Sequence, residues 1–296
     1  MKRLKYGILI FLLIVIAGFV LVSRQQAYML THNPKSDRVP FTFAPSDIGL
    51  EYKNVTVVND IGQTLHGWYI PPKNRAVIML LHGYKSNRGE LGKLGEFLVR
   101  HGYGVLFTSI RSNDINDGDL ITFGLKEMPD LDAWYEAIKK KEEVKHIGMF
   151  GNSLGGYLAI QYAASNKNIE VVITQSAFSS MKDTLDTSIK FFTGLPPFLF
   201  SPLIEFWADW EIGGNTEDIN AIKWIDQISP RPIFIMQGGA DKIISPDSGK
   251  WLYQAAKEPK EFWFEPELGH VEFPKKPDEF EKRVIDFFDR HLLNKE

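Results

Sequence analysis

The chain has 296 residues, with 34 Lys and Arg residues against 37 Asp and Glu residues. The resulting net charge of −3 argues against nucleic-acid binding, which needs a clustered basic surface. Because the sequence contains no Cys, disulfides, thiolate nucleophiles, Cys-ligated zinc and iron–sulfur clusters are excluded. A hydrophobic content of 44% favours a folded chain, and the length fits one large domain with appendages as well as two domains.

Residues 1–24 predict a membrane anchor or a signal peptide. Three cations lie within the first five residues, and an uncharged apolar run over residues 7–22 follows them. The length of the run lies between those of a signal-peptide core and a spanning helix, and no good cleavage site follows it, so an uncleaved anchor is favoured. The excess of positive charge before the run places the N-terminus in the cytoplasm and the rest of the chain outside the membrane. If the segment is cleaved, the protein is secreted.

Residues 25–50 contain three prolines and predict a stalk or irregular lead-in. From residue 51 to residue 296, short β-branched or apolar runs alternate with longer amphipathic stretches, which is the pattern of a mostly parallel sheet with helices on both faces. The sequence predicts eight strands, at 54–58, 65–70, 76–81, 104–108, 146–150, 171–174, 232–236 and 261–264. It predicts five helices, at 91–100, 130–140, 154–164, 247–256 and 278–292.

An insertion at about 178–229 interrupts this alternation, since about fifty residues separate two predicted strands. It is dense in Phe, Trp, Leu and Ile, and Pro196, Pro197 and Pro202 are expected to break it into short helices. We expect it to form a helical lid. Its aromatic side chains either favour an apolar acyl or alkyl group in the site or simply form the core of the lid.

The segment Gly151-Asn152-Ser153-Leu154-Gly155 lies between a predicted strand and a predicted helix. In this context Gly-x-Ser-x-Gly is typical of a nucleophile elbow, a sharp turn that needs small residues on both sides and exposes the serine oxygen at the strand end. The five residues alone are weak evidence, because a glycine-rich turn with a helix-capping serine has the same sequence. The flanking strand and helix favour Ser153 as a nucleophile.

A serine nucleophile needs a base, normally a histidine that a carboxylate orients. Asp241 follows the seventh predicted strand and His270 follows the eighth, so both are expected at the carboxyl ends of strands, where open α/β sheets bind ligands. The chain order Ser, Asp, His is the order expected for this elbow. We therefore predict Ser153, Asp241 and His270 as the catalytic residues.

Two other carboxylates, Asp247 and Asp183, are candidates for the role of the acid. Asp247 follows Ser245-Pro246 and suits the first turn of a helix, which favours a structural role. Asp183 lies just beyond the sixth predicted strand and stays open as an alternative acid.

The developing oxyanion also needs hydrogen-bond donors. The backbone N–H of Leu154, directly after the serine, is one candidate. The other is the backbone N–H of Tyr84, in the segment His82-Gly83-Tyr84 that follows the third predicted strand. An ordinary turn at the end of a strand would also explain His82-Gly83.

Over residues 51–292, these motifs resemble the alpha/beta-hydrolase superfamily, and specifically the serine-aminopeptidase and monoacylglycerol-lipase-like group with its membrane-anchored bacterial members. The resemblance implies the fold, an oxyanion donor in the His-Gly-x loop and a Gly-x-x-Asp motif that ends at Asp241. Relatives often carry Asp-x-Arg-Gly-x-Gly after the fourth strand, whereas this chain has Ser-Ile-Arg-Ser-Asn-Asp at 109–114. We therefore expect the loop at 109–114 to be reshaped.

The resulting expectation is a serine hydrolase that cleaves an ester, with an apolar acyl group, through an acyl-enzyme at the outer face of the membrane. It needs no metal and no organic cofactor, and its partners are a small-molecule or lipid-like ester and the membrane. Alternatives are a peptidase or a thioesterase on the same scaffold, or a non-catalytic anchored binding protein.

Overall fold

The computed structural model describes residues 2–293 and begins with a 30-residue helix, α1 (Lys2–Thr31). By length and composition α1 is able to cross a membrane, and only 6% of its most apolar window is buried. The helix continues seven residues beyond the boundary predicted at residue 24. The reason is local, because residues 25–31 include the good helix formers Gln, Ala, Met and Leu, and the first proline comes only at Pro34.

The eight strands form one sheet, in the order β1-β2-β4-β3-β5-β6-β7-β8. Their bounds are β1 (Lys53–Val58), β2 (Thr64–Ile70), β3 (Ala76–Leu81), β4 (Gly104–Phe107), β5 (His146–Asn152), β6 (Val171–Gln175), β7 (Ile233–Gly238) and β8 (Lys260–Glu265). The pairs β1–β2 and β2–β4 are antiparallel, and the five remaining pairs are parallel. All eight predicted strands are confirmed, and so is the α/β fold class.

Helices cover both faces of the sheet. Those after α1 are α2 (Gly92–Arg100), α3 (Met128–Lys139), α4 (Leu154–Ser165), α5 (Met181–Thr193), α6 (Pro197–Ile212), α7 (Pro246–Ala255) and α8 (Pro277–Phe288). One core contains α2 and α8, and the other contains α3, α4, α7 and the insertion. Because both faces are covered, β3 is buried along its whole length, as expected for a central parallel strand.

The insertion is built around two consecutive helices, α5 and α6, followed by three short 3₁₀ turns. Gly194, in the left-handed conformation at φ 69°, ends α5, and α6 begins at Pro197. The expectation that Pro202 breaks the insertion is wrong, because Pro202 lies inside α6. The hydrogen bond that Pro202 cannot donate would go to the carbonyl group of Phe198, in the exposed first turn, so the helix loses little there.

The end of α1 packs directly against α6. Ser23, Ala27 and Thr31 recur at a spacing of four residues and are fully buried, so a strip of small side chains lets the helices approach closely. The rings of Phe19 and Phe200 lie 4.3 Å apart between their centroids. The predicted anchor is therefore continuous with the globular part of the chain.

Candidate active site

Ser153 lies in a strained turn between β5 and α4. Its φ of 51° and ψ of −115° are unusual for a residue with a side chain, and its backbone N–H donates to the carbonyl of Gln175 at 2.8 Å. A Cβ at Gly151 would lie 2.1 Å from the carbonyl oxygen of Gly155, and a Cβ at Gly155 would lie 2.2 Å from that of Leu81. Close backbone packing therefore explains why glycine flanks the serine at both positions.

Asp241 and His270 form a buried pair. The Nδ1 of His270 donates to Oδ2 of Asp241 at 2.7 Å, and the Asp241 side chain has no exposed surface. The other carboxylate oxygen accepts the backbone N–H groups of Ile243 and Ile244, each at 2.9 Å. These donors fix the carboxylate, which in turn fixes the orientation of the imidazole and leaves its Nε2 for a reacting group.

The loop that carries His270 is held to the end of β6. Val271 has a φ of 49°, which is rare for a β-branched residue, and its backbone N–H donates to Oγ of Ser176 at 3.2 Å. Ser176 itself has a φ of 53°. Residues 153, 176 and 271 thus store backbone strain at neighbouring strand ends, as is common at functional sites. Within residues 2–293 no hydrogen bond joins Ser153 to His270.

The loop after β3 brings Tyr84 beside the serine. An ideal Cβ at Gly83 would lie 3.7 Å from Cβ of Ser153, so the two backbones are close. Across residues 2–293, no acceptor pairs with the backbone N–H of Tyr84 or of Leu154. Both proposed oxyanion donors are therefore free.

His82 holds this loop as a neutral ring. Burial lowers the pKa of His82, and the backbone N–H of Ile110 donates to its Nε2 at 3.3 Å. The proton must therefore lie on Nδ1, which donates to the carbonyl of Gly83 at 2.8 Å. His82 thus has a structural role in the loop that precedes Tyr84.

Glu90 connects the loop to the nucleophile elbow, and no sequence pattern predicted this role. One carboxylate oxygen accepts the backbone N–H of Gly83 at 2.9 Å, and the other accepts Nδ2 of Asn152, also at 2.9 Å. Asn152 directly precedes Ser153. No sequence motif marks Glu90, because its two partners lie seven and sixty-two residues away along the chain.

Asp183 and Asp247, the two alternatives to Asp241 as the acid, have other partners. Asp183 accepts hydrogen bonds from the hydroxyl groups of Ser248, at 2.6 Å, and Ser179, at 3.4 Å. The bond from Ser248 connects α5 to α7. Burial raises the pKa of Asp183. Asp247 lies in the first turn of α7 and pairs with Lys250 at 2.8 Å.

The loop at 109–114 keeps the backbone conformation that glycine favours. Ser112 and Asp114 occupy the two positions where relatives carry glycine, and their φ values are 61° and 57°. The guanidinium group of Arg111 pairs with the buried carboxylate of Asp130 at 2.7 Å, and Asp114 pairs with Arg88 at 2.7 Å. Ion pairs therefore hold this loop, and its expected reshaping relative to relatives stays a prediction.

A largely apolar cavity of about 860 Å³, counted to its open mouth, begins at the serine. Ser153, Leu154 and Tyr84 line it together with Ile243 and Ile244, whose backbone N–H groups donate to Asp241. The remaining wall comes mainly from α1 and α5. Of the aromatic residues of the insertion, Phe192 and Phe178 line the cavity, whereas Phe198, Phe206 and Trp210 are exposed elsewhere.

An eight-stranded, mostly parallel sheet with a serine at a strand-to-helix turn defines an alpha/beta-hydrolase. The chain belongs to the S33 serine aminopeptidase family, whose sequence profile matches residues 72–223. The match includes Ser153 and Tyr84 and ends before Asp241 and His270.

Similar proteins include the uncharacterized protein YfhR of Escherichia coli O157:H7, which is 24% identical over 97% of this chain and 93% of its own. The uncharacterized protein Rv2307c of Mycobacterium tuberculosis is also 24% identical, over 87% of this chain and 85% of its own. Among solved structures, the Pyrococcus furiosus esterase Pf2001 is 27% identical with a TM-score of 0.75, over 88% of this chain and 98% of its own. The family and this neighbour support an enzyme of the hydrolase type with esterase-like structure.

Proposed function

We propose that this protein is a serine esterase that cleaves a carboxylic ester with an apolar acyl group. The observation that carries the proposal is the buried Asp241–His270 pair at 2.7 Å, beside a strained serine elbow at the same edge of the sheet. Ser153 attacks the ester carbonyl, and His270 takes its proton and returns it to the leaving alcohol. The N–H groups of Tyr84 and Leu154 stabilise the oxyanion. Water then releases the acid by the same steps.

The composition of the cavity supports an uncharged substrate. Its wall within the described residues contains no Asp, Glu, Lys or Arg, and its polar members are Gln, Tyr, Ser and Thr. An aminopeptidase needs an acidic group that binds the α-ammonium of its substrate. The acidic residues of the insertion, such as Glu205 and Asp209, are not in the wall. This favours an ester over an N-terminal peptide, although the family takes its name from peptidases.

The proposed location is the outer face of a membrane, with α1 as the anchor. The cations before the apolar run favour a cytoplasmic N-terminus. Because α1 continues into the wall of the cavity, retention of the anchor also keeps the cavity complete.

A panel of p-nitrophenyl butyrate, laurate and palmitate, with leucine p-nitroanilide as the peptidase substrate, tests the proposal on the full chain in detergent. We expect hydrolysis of the esters, with kcat/KM rising toward laurate, no hydrolysis of the anilide, and loss of activity in Ser153→Ala. Cleavage of the anilide alone would identify a peptidase instead. A folded protein that turns over neither class would favour the non-catalytic alternative.

A further inference from the structure

The turn between α5 and α6 presents an exposed apolar cluster, which we call the lid tip. It consists of Phe191, Phe192, Phe198 and Leu199, whose exposed fractions are 49%, 67%, 77% and 45%. A contiguous patch of large apolar side chains on a protein surface usually marks an interaction site, because burial of that area is favourable.

The position of α1 indicates which surface covers the lid tip. Phe19 contacts Phe200 in the first turn of α6, whereas the guanidinium group of Arg24 lies 5.6 Å and 5.5 Å from the ring centroids of Trp207 and Trp210. The contacts advance along both helices together, so α1 and α6 run in the same direction. The start of α6, with the lid tip beside it, therefore lies on the side of the apolar run of α1.

The depth of the lid tip follows from the helix rise. Phe19 lies three residues, about 5 Å, inside the end of the apolar run at Val22. The run over residues 7–22 spans about 24 Å, which is shorter than a hydrocarbon core of about 30 Å. A run this short is accommodated by local thinning of the bilayer and by flanking residues that reach the headgroups, so the end of the run at Val22 lies at the edge of the hydrocarbon core. Arg24, Trp207 and Trp210 follow at the level where aromatic and basic residues contact lipid headgroups.

The cavity runs from the serine toward this same side. Along α1 its wall passes from Leu30 to Gln26, in the direction of the apolar run. Along α5 it passes from Met181 to Thr193, which is about 18 Å toward the lid tip. Phe192 belongs to both the wall and the lid tip, and it is two-thirds exposed, so it marks the mouth.

We propose that the lid tip and the apolar run of α1 form one surface that contacts the lipid bilayer, and that a lipid ester enters the cavity from the adjacent leaflet through the mouth at Phe192. The entry route rests on the proposed esterase function, whereas the bilayer contact does not. The ester carbonyl is held at Ser153, and its acyl chain extends along α1 and α5 toward the membrane from which it came.

The absence of Cys from the sequence permits a direct test of the bilayer contact. The full-length Phe198→Cys protein is labelled with the fluorophore NBD and reconstituted in phosphatidylcholine vesicles with or without doxyl-labelled lipid. Ile61→Cys is the matched control, since Ile61 is an apolar residue of the β1–β2 turn with 61% exposure. We expect the emission of the label at position 198 to be blue-shifted. Doxyl lipid should quench it at least about threefold more than it quenches the label at position 61. Equal quenching at the two positions, or a buried label at 198 that doxyl lipid does not quench, would overturn the contact.

A second arm tests the entry route. The double variant Phe198→Ser/Leu199→Ser leaves the cavity wall intact, so we expect unchanged kcat/KM for soluble p-nitrophenyl butyrate. Hydrolysis of a long-chain ester embedded in vesicles is expected to fall at least about fivefold, with no fall in Ile61→Ser. Equal effects on both substrates, or no effect on the vesicle substrate, would overturn the route. If the wild-type protein hydrolyses neither ester, the proposed function fails, and the fluorescence arm still decides the bilayer contact.

Discussion

Replacing Glu90 by leucine removes the carboxylate that connects the proposed oxyanion loop to the serine elbow. In the wild-type structure this carboxylate accepts hydrogen bonds from the backbone of Gly83 and the side chain of Asn152, each at 2.9 Å. Leucine accepts neither, so two donors lose their partner. We expect the loop to move and the N–H of Tyr84 to leave its position for the oxyanion.

The magnitude follows from the two lost bonds. Each stranded donor costs about 1–3 kcal/mol when water does not replace its partner. Loss of one oxyanion donor lowers kcat by about 10²- to 10³-fold, and we expect Glu90→Leu to reach the lower end of that range. Glu90→Gln is the matched control. The amide oxygen of the introduced glutamine still accepts a hydrogen bond from the backbone N–H of Gly83, and its NH₂ group faces Asn152. In the wild type, Oδ1 of Asn152 has no partner within residues 2–293. A flip of the Asn152 amide therefore lets Oδ1 accept from the new NH₂ group.

Kinetics on soluble p-nitrophenyl butyrate separate positioning from folding. We expect kcat to fall less than about tenfold in Glu90→Gln and about 10²-fold in Glu90→Leu, with KM within about twofold of wild type in both. Thermal unfolding shows whether both variants are folded under the assay conditions. A Glu90→Leu enzyme with kcat within about threefold of wild type would refute the positioning role.

Three further predictions concern neighbouring groups. Asp241→Asn is expected to lower kcat by about 10⁴-fold, whereas Asp183→Asn lowers the unfolding temperature with little effect on kcat. The reverse pattern in ester kinetics would make Asp183 the acid. The pKa of His82 lies below its ordinary 6.5 in the folded protein, so the unfolded chain binds the proton more tightly and stability falls as pH drops below about 6.5. Denaturant unfolding should show this as a loss of up to about 1.4 kcal/mol per pH unit relative to His82→Gln, and parallel pH profiles would contradict it. Arg111→Met leaves the buried carboxylate of Asp130 without its cationic partner and should cost about 3–5 kcal/mol of unfolding free energy, most of which Arg111→Met/Asp130→Leu restores in the same assay. Equal losses in both variants would count against an uncompensated charge.

Sequence periodicity predicted the strands because a buried parallel strand needs a short apolar run, and the chain provides eight of them between amphipathic stretches. The elbow was predictable because its glycines are needed where the turn packs closely, Gly151 against the backbone of Gly155 and Gly155 against the backbone of Leu81. The pairing of Asp241 with His270 was predicted from their places after adjacent strands, and the structure brings these two side chains into contact.

Other features depend on contacts that leave no local pattern. Glu90 acts through one partner in the loop after β3 and another at the end of β5, and the packing of α1 against α6 joins segments about 180 residues apart. The position of Pro202 inside α6 also depends on context, because an exposed helix end tolerates the missing N–H where a buried one does not. Such features follow from tertiary structure alone.

Active-site labelling tests the central claim most directly. The full-length protein in detergent is treated with a fluorophosphonate probe, beside Ser153→Ala and His270→Ala, and the modified residue is located by mass spectrometry. An activated serine predicts labelling at Ser153 that is absent in Ser153→Ala and strongly reduced in His270→Ala. Labelling that persists in both variants, or a folded wild-type protein that takes up no probe, would contradict the assignment of Ser153 as the nucleophile and His270 as its base.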